Sequence, residues 1–128
     1  MAAPEPTPLY VTAVADYTLD FQVPALRGAG VPPSSVKLLG ADGQRSAYER
    51  IRNGQYQTVT VSEPTEMQAY QAIDELNRAL HGVPPSGFQQ APYLVTPQNV
   101  NEEGGNKDAF IPSNDYKRHY LELWGVTP

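Results

Sequence analysis

Cysteine is absent from this 128-residue chain. It therefore has no disulfide, no thiolate metal site and no cysteine nucleophile, and it is chemically compatible with oxidising or reducing surroundings. Charge is sparse, at 18% of residues, and basic charge is sparser, with nine lysines and arginines against fourteen acidic residues for a net charge of -5. Such a balance repels phosphate backbones and anionic lipid, so nucleic acid is not an expected partner. No stretch approaches the ~18 consecutive apolar residues of a membrane span, and Met1 to Pro8 has neither the basic nor the apolar region of a signal peptide. Residues 1–8 are read as a leader, and residues 9–128 as one α/β domain. The sequence also has no internal repeat, glycine-rich phosphate loop, serine elbow or HExxH.

What is present is well punctuated by 13 prolines and 10 glycines. Leu9 to Ala15 reads as a short strand buried on both faces. Asp16-Tyr17-Thr18 offers capping residues for a helix over Leu19 to Ala29, closed by Gly30. Pro24 requires this helix to start near Val23 or to kink. Val36 to Ala41 gives a second strand. Ser46 and Glu49 have capping-box spacing for a short helix stopped by Asn53-Gly54, and Tyr56 to Val61 gives a third strand.

From Pro64, Ala69, Ile73, Leu76 and Leu80 fall on one helical stripe before Gly82, while Glu66, Asp74, Glu75 and Arg78 form a face expected to be wet. Tyr93 to Thr96 is a candidate fourth strand, and Asn99 to Ser113 reads as a long polar loop. Tyr116, Tyr120 and Trp124 predict packing residues of a last helix ended by Gly125. The alternation of strand and helix implies an α/β fold with parallel pairing, a three-layer sheet with flanking helices.

In open parallel sheets ligands gather beyond the carboxyl ends of the strands. Asp16, Asp42 and Ser62 each follow one predicted strand, which places three hydrogen-bonding side chains at one rim. Ionised carboxylates only accept, which suits a ligand rich in hydroxyl donors. Two other readings remain open. The aspartates could cap the helices that follow them, or they could form an acid and base pair, which would require one raised pKa and a defined separation. His81 and His119 have no partner at metal-ligand spacing, and the twelfth position counted from Asn99, where a calcium loop places glutamate, is Phe110. No metal or cofactor is expected.

Four ordered segments carry a resemblance. Ala15-Asp16 with the helix ending Leu26-Arg27-Gly28-Ala29-Gly30, Leu39-Gly40-Ala41-Asp42-Gly43, Ile51 to Val59, and Leu94 to Val100 are similar to corresponding passages of the ribose and galactose type of periplasmic binding protein. The chain thus resembles, over Leu9 to about Asn99, the C-terminal part of the sugar-capture subunit of an ABC importer. The resemblance implies a partial periplasmic-binding-like lobe that binds a monosaccharide without bond chemistry. It makes Asp42 the leading sugar-hydroxyl acceptor, with Asp16 beside it. Ala15 occupies the place of a family asparagine that contacts ligand, and Ser62 that of a glutamine near the hinge.

For the parent protein the resemblance further implies an extracytoplasmic location and an ABC permease as partner. For this chain it implies weak or no binding alone, with self-association or pairing with the missing N-terminal half. An effector domain of a lactose-repressor-like regulator, or a small α/β enzyme using Asp16 and Asp42, are the alternatives.

Overall fold

A computed structural model describes residues 7–126. The leader expected over residues 1–8 falls mostly on residues 1–6, which lie outside the described residues, as do residues 127–128. In order along the chain come β1 (Leu9–Thr12), α1 (Asp16–Gly28), β2 (Val36–Asp42), α2 (Arg45–Arg52), β3 (Gln57–Ser62), α3 (Thr65–Leu80), β4 (Tyr93–Val95), a short 3-10 turn at Gly105–Lys107 and α4 (Tyr116–Leu123). The sheet order is β1-β2-β3-β4. The first three strands are parallel and β4 runs antiparallel to β3, which makes the sheet mixed.

Both α1 and α2 cover the same face of the sheet. Leu19 and Val23 of α1 pack with Val36 and Leu38, and Tyr48 and Ile51 of α2 pack with Val95 and Val100. The registers Gly40↔Thr60 and Thr60↔Val95 put these core positions on one side. On the opposite side stand Tyr10, Leu39, Ala41, Val59, Val61 and Leu94, none of them buried. The expectation of a fully parallel, three-layer sheet is corrected accordingly. β4 closes the sheet antiparallel, and among the described residues no side chain on this second face of the strands is buried as a core residue. For the same reason β1 is not buried on both faces: it is an edge strand with Leu9 and Tyr10 exposed.

Three local expectations also shift. α1 runs continuously from Asp16 with Pro24 inside it on the exposed side, where water can satisfy the carbonyl that loses its amide partner. The chain then turns at Gly30, with the Val31 amide donating to the Leu26 carbonyl. Ser46 does not cap α2, because that helix begins one residue before it and has no side-chain cap from its own N-terminus.

In α3 the side that packs is centred on Asp74, a residue expected to be wet, with Met67 buried alongside. Asp74 is 5% exposed, whereas Ile73, Leu76 and Leu80 are 56%, 60% and 77% exposed. The cause is α4. Tyr70 stacks on Trp124 at 5.8 Å and meets Tyr116 edge-on at 5.7 Å, while the Trp124 indole donates to Asp74 at 3.0 Å. The polar loop after β4 is tied to α2 by Arg52, which donates to Asn101, Asp108 and the Gly105 carbonyl. Among the described residues no helix is long and apolar enough to cross a membrane.

Candidate ligand-binding rim

The carboxyl ends of β1, β2 and β3 meet at one rim, as the parallel order requires. Asp42 is the last residue of β2 and pairs in register with Ser62, the last of β3. β2 leaves the sheet through two consecutive left-handed residues, Asp42 at φ 88° and Gly43 at φ 71°. For a residue with a side chain, that conformation costs roughly 1–2 kcal/mol, and aspartate is among those that tolerate it best. Gly43 could not be anything larger, because a Cβ there would lie 1.7 Å from Ser62 Oγ. The result is an exposed Asp42 side chain that makes no hydrogen bond among the described residues.

Asp16 is near Asp42 in the fold but in the opposite environment, at 0% exposure. Its Oδ2 accepts from the Gly43 amide at 2.9 Å, the Gln44 amide at 3.1 Å and Thr60 Oγ1 at 2.7 Å, and its Oδ1 accepts from Gln57 Nε2 at 2.7 Å. Four donors fill the acceptor capacity of a carboxylate. The space is made by Gly40, where a Cβ would fall 2.0 Å from Asp16 Oδ1. Gln57 in turn accepts from Arg50 Nε at 2.8 Å. The same guanidinium pairs with Asp20 and donates to the Asp16 carbonyl. Among the described residues no buried side-chain polar atom is left without a partner, as the high cost of an unpaired buried group demands.

Asp16 therefore does not cap the helix it begins, and the amides it holds precede the first residue of α2. Its carboxylate sits against the amides that lead into α2, where a negative charge is favoured by the helix dipole. Ser62 is also buried. Its hydroxyl accepts from Tyr48 at 3.1 Å, and burial raises the Tyr48 phenol above its ordinary pKa. Ala15 is buried with its carbonyl accepting from the Thr18 hydroxyl at 2.8 Å. Of the four rim residues expected to meet ligand, Asp42 alone is exposed. Ala15, Asp16 and Ser62 form the layer beneath it.

Sequence reasoning missed Gln57, Thr60, Arg50 and Tyr48. A signal was available in the strand Gln57-Thr58-Val59-Thr60-Val61-Ser62, where polar and apolar positions alternate. A one-residue irregularity opposite Leu38/Leu39 adjusts the register so that Gln57, Thr60 and Ser62 all face the helices. Inward-facing polar residues need partners, and Asp16 is the partner that α1 supplies. No protein-family model, curated protein or solved structure matches this chain.

Proposed function

We propose that the chain binds a polyhydroxylated small molecule, a monosaccharide in the first instance, through Asp42. It would do so as the C-terminal portion of an ABC-transporter solute-binding protein and without bond chemistry. The observation that carries this reading is the Asp42 carboxylate, exposed, free of protein partners among the described residues, and held at the carboxyl rim of three parallel strands. A rigidly presented carboxylate accepts strong hydrogen bonds from sugar hydroxyls. The exposed Leu94 beside half-buried Val59 and Val61 on one face of the sheet, and the exposed Ile73, Leu76 and Leu80 on α3, support pairing with a second body that completes the site. In this reading the parent protein works outside the cytoplasm and delivers its ligand to a permease.

The acid and base alternative draws less support, since Asp16 is enclosed and fully bonded. The test is calorimetric titration of the full chain with a monosaccharide panel at millimolar concentrations, wild type against Asp42→Asn. Saturable heat that falls about tenfold in affinity with the variant supports the proposal. Binding that ignores Asp42, or chemical conversion of the sugar, overturns it.

A further inference from the structure

The buried carboxylate of Asp16 and the exposed one of Asp42 are joined by a single turn of chain. Gly43, the residue immediately after Asp42, donates its amide to Asp16 Oδ2 at 2.9 Å and approaches Thr60 Oγ1 at 3.3 Å, and Gln44 donates to the same Oδ2 at 3.1 Å. On the other side of the turn, the Glu63 amide reaches the Asp42 carbonyl at 3.4 Å. The peptide that follows Asp42 is thereby pinned from below, and Asp42 stands at φ 88° at the head of that pinned turn. Asp16 itself cannot drift. Gly40 leaves room for its Oδ1 and no more, Gln57 holds that oxygen, and Arg50 holds both Gln57 and the Asp16 carbonyl.

We propose that Asp16 is the positioning residue of this site: by holding the Gly43 and Gln44 amides, its carboxylate sets the turn that aims the Asp42 side chain outward. As a statement about ligand binding it rests on the reading of Asp42 as the sugar acceptor. As a statement about the turn it stands on the geometry alone. Neutralising Asp16 as asparagine would set an NH2 group against one of its donor clusters, so one side of the grip must open. Thr60→Val removes one donor at nearly constant volume and should loosen the grip without dissolving it.

The experiment uses the isotopically labelled full chain as wild type, Asp16→Asn, Thr60→Val, Asp42→Asn and the double variant Asp16→Asn/Asp42→Asn. The three-bond HN–Hα coupling of Asp42, taken with its intraresidue HN–Hα Overhauser effect, reports its φ, and amide shift changes on titration with D-ribose and D-galactose read binding. The expected result is a coupling that leaves its left-handed value in Asp16→Asn and moves part of the way in Thr60→Val. Sugar affinity should fall about tenfold in the first and about threefold in the second.

Because Asp16 acts through Asp42, the double variant should bind no more weakly than Asp42→Asn alone; a purely structural contribution would add to it instead. An unchanged Asp42 coupling in both single variants, or fully additive losses, would overturn the proposal. If Asp16→Asn does not fold, Thr60→Val decides the matter. If neither sugar perturbs the wild type, the acceptor reading of Asp42 fails while the coupling still decides whether Asp16 holds the turn.

Discussion

Two regions of the molecule solve the same packing problem by opposite means. In the body made of β1 to β3 with α1 and α2, the interior is part hydrocarbon and part a closed polar lattice of Asp16, Gln57, Thr60 and Arg50. Between the paired helices α3 and α4 the interface is aromatic, Tyr70 against Tyr116, Tyr120 and Trp124, with two carboxylates at its margins. The body tolerates almost no displacement, because a charged acceptor surrounded by donors loses heavily if any partner moves. Stacked rings are more forgiving. The helix pair also turns the aliphatic stripe of α3 to solvent, so its stability comes from one face only. Positional precision therefore belongs to the body, and the Asp42 rim is built there.

The largest expected effect breaks the lattice. Gly40→Ala drives a Cβ to within 2.0 Å of Asp16 Oδ1 and 3.0 Å of Gln57 Nε2 and should cost about 3 kcal/mol, measured by urea unfolding; a loss under about 1 kcal/mol would mean the lattice adapts as easily as the rings do. Next in size, Trp124→Ala should remove about 2 kcal/mol from the α3–α4 pair. Hydrogen exchange should then show lost protection in α3 and α4 with the β2 and β3 amides unchanged. Equal loss in both regions would show that they unfold as one unit.

A smaller and reversible effect comes from acid. Lys117 and Tyr116 hold Glu66 below its ordinary carboxylate pKa, and Arg78 with Trp124 holds Asp74 below its own. A lowered folded-state pKa means that the ionised form supports the fold. The contribution is complete above the ordinary carboxylate range and is lost as pH falls through the depressed values. Trp124 emission and near-ultraviolet circular dichroism should therefore report loosening of the α3–α4 pair below about pH 4, while neutral pH has no effect through these groups. Smallest of all, Leu76→Gln on the exposed stripe should change the stability of the isolated chain by less than about 0.5 kcal/mol. A larger loss would show that something covers this face in solution.

Much of the body was legible in the sequence. The three parallel strands and the helices between them fall within a few residues of their expected positions. Asp42 and Ser62 do finish neighbouring strands at one rim. What could not be read was direction of exposure. The alternation in β3 and the stripe in α3 each announce an amphipathic element, and for α3 the apolar side is the one expected to face inward. In the fold Gln57, Thr60 and Ser62 point to the helices, and Asp74 points to α4. Periodicity states that two faces differ. It does not state which one meets the neighbour, because that depends on partners elsewhere in the chain, Asp16 for β3 and Trp124 for α3.

The capping of α2 shows the same limit. Ser46 and Glu49 have the right spacing, yet the anion at the head of this helix comes from Asp16, 28 residues before Gln44. Local sequence determined where the chain turns, where its helices stop and which residues end the parallel strands, since those follow from glycine, proline and short-range periodicity. Only the tertiary structure decided that one aspartate is sealed in and the other left to solvent. Burial is set by which segments come together across the sheet, and no short-range pattern in the sequence encodes that.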